Sequence, residues 1–365
     1  MTTTASRRVP VRAARGAAAA LVGALGLVLG ACSSPAPAPE PTPSTSTVVV
    51  QPTIEASKSA APTPSLAPTW PLTGVAGDVV NRPAIAVKIE NTNQARPQSG
   101  LEAADVVWET IIEFDVSRLV AVFQSQSPQE VGPIRSVRPM DIPIAQPYQG
   151  MLAFSGGQGG ILDLAYGSGL QILSHDAGNA GFHRTSDRPA PHNVYGSLET
   201  FWSQADAGRV APPQQFVFAR TAAQASAATG GAPATNLDLR LSGASHPSWA
   251  WDAGSGTWLR SEDGKPATSA AGPQLSAVNV VAVVAPHPRS GFGAQNGASI
   301  PTYTLVGNGQ ATLATGGKTL SVAWSKAAND APLVLTLPDG SPATLAPGNT
   351  WVELVPAETG TLTVS

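Results

Sequence analysis

The chain has 365 residues, 42% of them hydrophobic and 12% charged, with 21 basic against 24 acidic side chains and a formal net charge of −3. That balance argues against a nucleic-acid partner, which needs a basic surface. The single cysteine, Cys32, excludes an intramolecular disulfide framework and a cysteine-built zinc site. At the N-terminus, "MTTTASRRVPVRAARG" carries Arg7, Arg8, Arg12 and Arg15 and no acid. The apolar run Ala17 to Ala31 that follows is too short and too rich in small residues to be a stable membrane span. A basic start, an apolar middle and small residues before a cut describe a secretory signal peptide over residues 1–31. The residues after Arg7-Arg8 fit a twin-arginine signal poorly, so Sec-type export is expected. Removing four arginines with the signal leaves 17 basic residues (21 − 4) against 24 acidic, a net −7.

"LGAC", Leu29 to Cys32, resembles the bacterial lipoprotein signal, in which the cysteine after the cut is lipidated and becomes the new N-terminus. Each lipid methylene buried in a bilayer contributes about 0.8 kcal/mol, so a multiply acylated Cys32 would be a durable anchor on the extracytoplasmic face of the membrane. Residues 32–77 are then expected to be a disordered tether. The stretch Ser33 to Pro71 is mostly Pro, Ala, Ser and Thr, and such a composition buries too little apolar surface to offset its ordering entropy.

Residues 78–225 are expected to form an N-terminal α+β domain. "AIAVKIEN" alternates as a strand should, and Ala103 to Ser125 reads as two β-rich runs around a turn near Asp115 to Ser117. Continued alternation would place Glu109 and Glu113 on one face, with Arg118 close to Glu113 across the turn. After the Gly132-Pro133 turn, a helix could start at Ser136, kept short by Pro139, Pro143 and Pro147. "SGGQGG" lacks the Lys and Ser/Thr of a phosphate loop, and a further helix is expected to begin near Ser197. Residues 226–365 alternate in short runs broken by Gly, Pro, Asp and Asn, which predicts a mostly antiparallel β-domain.

The order and spacing of "NTNQARPQSGLEAADVVWE", "SRLVAVF", "VGPIRSVRPMDIPIA" and "RPAPHNVY" resemble the YerB-like lipoproteins, a bacterial envelope family named for a domain of unknown function. The later "NVVAVV", "GNGQATLATGGKTLSVAWSK" and "LAPGNTWVELVP" resemble that family's separate C-terminal domain. The resemblance runs from about Asp78 to Pro356. It implies a two-domain, membrane-tethered extracytoplasmic protein, and no assigned activity.

Chemistry must therefore come from residues. Arg135 and Arg138 would share a face if their segment were helical, and arginine suits bidentate capture of carboxylate or phosphate. Together with Arg118, Arg184, Asn193, Glu109 and Glu113 they are the candidate ligand-binding set for an anionic wall glycopolymer or peptidoglycan fragment. The bland alternative makes the arginines internal ties to these carboxylates. His183 and His192 are the candidate acid/base groups of a hydrolase or lyase acting on such a polymer. Their spacing matches no metal signature, and no cofactor is expected. A third reading is a scaffold for another envelope protein.

Overall fold

The computed structural model describes residues 67–294 and 297–365. The expected signal peptide, Cys32 and the tether up to residue 66 lie outside the described residues. From Thr69 the chain is already folded. Thr69 bridges Ala76, Leu72 is fully buried, and the Thr73 carbonyl accepts from Gly348 N at 2.8 Å. The folded part thus begins before Asp78, because Trp70 to Thr73 supply apolar surface that the Pro/Ser/Thr stretch lacks.

One large mixed sheet organises the molecule. Its N-terminal strands are β1 (Ile85–Glu90), β2 (Val106–Ile111), β3 (Ser117–Phe123), β4 (Met151–Phe154) and β5 (Gln171–Ser174). A short hairpin, β6 (Phe182–Arg184) and β7 (Val194–Gly196), stands beside it. The C-terminal segment begins with β8 (Asn236–Arg240), β9 (Pro247–Asp252) and β10 (Thr257–Glu262). It continues with β11 (Asn279–Ala285), β12 (Gly307–Thr315), β13 (Lys318–Lys326), β14 (Val334–Thr336), β15 (Thr350–Pro356) and β16 (Thr361–Val364).

The main sheet runs β14-β13-β12-β11-β15-β2-β3-β1-β4-β5, so β15 from the end of the chain joins the two segments. It pairs in parallel with β2 on one side (Val106↔Thr350 to Glu109↔Glu353) and with β11 on the other. β4 is parallel to both β1 and β5, and helix α2 (Gly159–Tyr166) is the crossover from β4 to β5, while β3 runs antiparallel to β1 and β2.

The central strands are buried on both sides, which explains their near-continuous apolar sequences. One face packs against helices α1 (Asp141–Ala145) and α2 (Gly159–Tyr166) through Val106, Trp108, Val120, Val122, Ile144 and Ile161. The other is covered by a second, antiparallel sheet built on β8, β9, β10 and β16, with Trp249, Trp258 and Leu237 packed over Val87, Val107 and Trp351. That covering sheet is half-buried and alternates in β8 and β10, as a one-sided sheet must. Helix α3 (Leu198–Trp202) is capped by Ser197, whose side chain accepts from Thr200 N. The N-terminal segment therefore mixes helices and strands, and the C-terminal segment is mostly antiparallel β.

Two local expectations change. The segment after Gly132-Pro133 does not start a helix at Ser136. Arg135 N donates to Lys88 O and Val137 N to Gly156 O, and the residue preceding Pro139 is sterically biased away from helical geometry. Helix α1 begins only at Asp141, so Arg135 and Arg138 share no helical face. Strand alternation also stops at Ile111. Phe114 and Asp115 take positive φ of 66° and 60°, and this turn swings Glu113 to the face opposite Glu109.

Candidate functional site

β1, β2, β4 and β5 all point the same way, and their carboxyl ends form one edge. In open sheets of parallel strands, ligands settle outside that edge. Here it carries Glu90, the Glu113 turn, the "SGGQGG" loop, and His175 with Asp176. The loop comes close to the segment that precedes α1. Gly156 has φ 86°, and a Cβ there would meet Ser136 Oγ at 2.8 Å, so this approach requires glycine.

Four cations gather at this edge. Arg138 is locked to Glu113 by a two-pronged ion pair, with Nε to Oε2 at 2.7 Å and Nη2 to Oε1. Burial alone would raise the Glu113 carboxyl, but the hydrogen bond and charge of Arg138 outweigh it and hold it below its ordinary value. Lys88 is fully buried and bonds Asp141 Oδ1 at 2.6 Å and Thr110 Oγ1 at 3.1 Å. Burial outweighs the attraction of Asp141 and lowers the Lys88 ammonium to about 8.

Arg135 Nε stands 3.4 Å from Glu90 Oε2, a carboxylate that also meets His192 Nδ1 at 2.9 Å. Arg118, the fourth cation, reaches no carboxylate within ion-pair distance among the described residues. Its Nη1 donates to Ser136 O at 2.9 Å. Burial, then the charges of Arg138 and Arg135, push this guanidinium down to about 9. Four cations thus face the three carboxylates Glu90, Glu113 and Asp141, with His192 alongside.

Of the sequence-predicted residues, this edge gathers Arg118, Arg135, Arg138, Glu113 and His192. It does not gather the others. His183 points to Glu130 at 3.4 Å and stacks on Tyr195. Arg184 donates to Asn193 Oδ1 at 2.8 Å, and Asn193 donates to Thr185 O, so this pair ties the β6–β7 hairpin.

Glu109 lies on the opposite face of the sheet, in a network that sequence reasoning missed. Its centre is Arg260 on β10, which bonds Glu109 Oε2 at 2.7 Å, Glu262 Oε2 at 2.5 Å and Glu353 Oε1 at 3.0 Å. The guanidinium also sits 4.7 Å from the Trp351 ring centre, and Trp249 Nε1 donates to Glu353. All four charged side chains are buried between the sheets. Burial and the neighbouring Glu109 carboxylate push the Glu353 carboxyl well above its ordinary range, and burial raises Glu262 despite Arg260. Burial opposes ionisation of Arg260, but its three carboxylates outweigh that and raise it. Beside Arg260 and Glu262 a cavity of about 410 Å³ opens between the segment following β1 and the edge of the covering sheet. The available signal was a tryptophan-flanked pair of charges, "TWLRSE" and "TWVELVP", in runs otherwise apolar enough for core.

Two models of one family match the chain. The N-terminal domain of the protein of unknown function DUF3048 matches residues 72–211, and its C-terminal domain matches residues 237–352, together well over half of the length. The chain belongs to the DUF3048 family. It is 34% identical over 145 residues to a candidate lipoprotein, YerB, of Bacillus subtilis (strain 168). That match covers 39% of this chain and 44% of the relative, so the chain spans less than half of the relative it matches. The crystal structure of the YerB protein from Bacillus subtilis has the same fold, with a TM-score of 0.68 at 24% identity over 81% of this chain and 99% of that one.

Proposed function

We propose that this protein works at the cell envelope, held by lipid on Cys32 with its folded part on the extracytoplasmic face. There it binds an anionic envelope component, a wall glycopolymer or peptidoglycan fragment, at the carboxyl edge of the sheet. The observation that carries the binding reading is Arg118, a buried guanidinium crowded by Arg135 and Arg138 and lacking a carboxylate partner among the described residues. A bound carboxylate or phosphate would supply the missing negative charge, and Arg135, one-fifth exposed, is placed to meet it first. The Bacillus subtilis relative, whose name calls it a lipoprotein, and the "LGAC" motif support the anchoring.

Arg135→Lys keeps the charge and removes the planar fork. Calorimetry of the whole protein with muramyl peptides and with purified anionic wall glycopolymer should show at least ~10-fold weaker binding by this variant, about 1.4 kcal/mol, at an unchanged melting temperature. Equal binding by variant and wild type would remove the reading. For the anchor, Cys32→Ala should move the protein from membranes to the soluble extracytoplasmic fraction, and retention after high-salt washing would refute lipidation.

One observation favours a second reading, a hydrolase or lyase. Glu90 engages Nδ1 of His192, which orients the ring and leaves Nε2 for proton transfer. Under that reading, His192→Gln abolishes turnover of the polymer while leaving its binding intact.

A further inference from the structure

The cavity beside the Arg260 network belongs to neither reading above, and its chemistry differs from that of the arginine-rich edge. Its walls are part apolar, from Leu101, Leu119 and Leu275, and part polar, from Asn91 and Gln98. Glu262 lines it and is buried, with its side chain only 3% exposed. The two oxygens of this carboxylate are treated very differently. Oε2 accepts from Arg260 and, at 3.3 Å, from Asn91 Nδ2. Oε1 has no hydrogen-bond donor among the described residues. Arg96 Nη2 stands 3.5 Å from it, but the donors of Arg96 are directed at Asn91 and Asn93. A carboxylate oxygen left in this state inside a protein is costly unless something else reaches it.

The charges around the cavity point the same way. Glu109, Glu262 and Glu353 surround Arg260, and Asp263 at the mouth shares Arg96 with Glu262 and meets His246 Nδ1 at 3.6 Å, so four carboxylates meet two guanidinium groups and one imidazole. Burial and the Glu109 carboxylate raise the Glu353 carboxyl well above its ordinary range, so it is the member of the cluster that gives up its charge most readily. Lys265 at the rim pairs with no carboxylate among the described residues, and is available for the far end of a ligand.

We propose that the cavity binds a compact polar molecule through a primary ammonium group, whose N–H donors meet Glu262 Oε1 and whose charge completes the Arg260 network. An amino acid, the amino end of a short peptide and a small diamine share this chemistry. The volume suits any of them, and Lys265 favours a molecule that carries a carboxylate as well.

The test uses the whole protein and three probes: lysine, putrescine, and lysine acetylated on both amines. Lysine should bind saturably by calorimetry and raise the melting temperature, and the diacetylated compound should do neither. Putrescine binding at least ~10-fold more weakly than lysine would assign the carboxylate to Lys265; equal binding would assign recognition to the ammonium alone. Both outcomes support the site.

Glu262→Gln should weaken lysine binding at least ~10-fold. Because that substitution touches a buried network, Ala267→Phe serves as a second variant that fills the cavity from its wall without altering any charge. It should abolish lysine binding at an unchanged melting temperature. Arg135→Lys should leave lysine binding unaltered, which separates this site from the anion site. Failure of lysine and putrescine to bind, equal binding of the diacetylated probe, or undiminished binding by both cavity variants would overturn the proposal.

Discussion

Replacing Arg260 with Met removes the one cation that three buried carboxylates share, and the loss can be bounded from the structure. The methionine keeps much of the packing against Trp351, so the effect is mainly electrostatic. Glu109 would then sit between two sheets without a counter-charge, and Glu262 would keep only Arg96, 3.5 Å from its Oε1. The cheapest relief is to take up protons. From an ordinary carboxyl value of 4.5, protonation at pH 7 costs about 3.4 kcal/mol. Two such groups set a ceiling of about 7 kcal/mol at pH 7, and of about 3 kcal/mol at pH 5.5. Glu353 is left out of both figures, because burial and Glu109 already raise its carboxyl well above the ordinary range. Measured losses on breaking buried ion pairs, about 3–5 kcal/mol, fall within the first bound. Urea denaturation at the two pH values should therefore show a loss of about 3–5 kcal/mol at pH 7 that shrinks by more than ~1 kcal/mol at pH 5.5. A loss below ~1 kcal/mol, or one independent of pH, would refute the buried network as described. Glu353→Gln provides the opposite case. The folded state raises this carboxyl, so its stabilising contribution is complete below 4.5 and fades as pH climbs through the raised value. The neutral amide cannot ionise, so the variant should gain on the wild type as pH rises.

Other outcomes follow from the opposite face and from the N-terminal boundary. Lys88 should titrate near 8 rather than 10.5 when followed by NMR of its side chain, since burial outweighs Asp141; because its folded value is the lower one, its unfavourable contribution is complete below 8 and relaxes between 8 and 10.5. An ordinary midpoint would mean that the ammonium is solvated. Arg138→Lys should cost about 1–3 kcal/mol in urea denaturation by giving up the fork onto buried Glu113, whereas Arg135→Lys should cost under ~0.5 kcal/mol. Comparable losses in the two would show that Arg135 is also a structural tie. Limited proteolysis should stop before Thr69, and Leu72→Ala should destabilise by about 2–4 kcal/mol, because Leu72 is fully buried; ready cleavage between Trp70 and Gly77 would refute that packing.

Much of this architecture was legible because strand burial writes itself locally. The apolar runs of β1, β2 and β3 announced a sheet, and Pro139 and Pro143 announced that any helix nearby would be short. The site was legible only where neighbours in sequence remain neighbours in space. Arg135, Arg138 and Arg118 do gather, since the Gly-Pro turn and one hairpin bring them together. Glu109 was misassigned because alternation was carried past Ile111, and nothing in "IIEFDVS" advertises that Phe114 and Asp115 adopt positive φ. Arg260 was invisible for another reason. Its partners come from three different strands, one of them 151 residues away in sequence. A charged residue in an alternating strand ordinarily faces water. Only the second sheet, closing over β2 and β15, turns that position inward.

The place of β15 has a consequence for how the molecule comes into being. A chain made N-terminus first delivers β2 and β11 well before residues 350–356, the strand that must lie between them. Until those last residues arrive, both strands present unpaired edges and the two halves of the sheet have no common ladder. Such borders can pair with any extended peptide nearby, so the main sheet closes late. β15 acts as a keystone, and losing residues 350–365 would leave two half-sheets rather than a shortened protein.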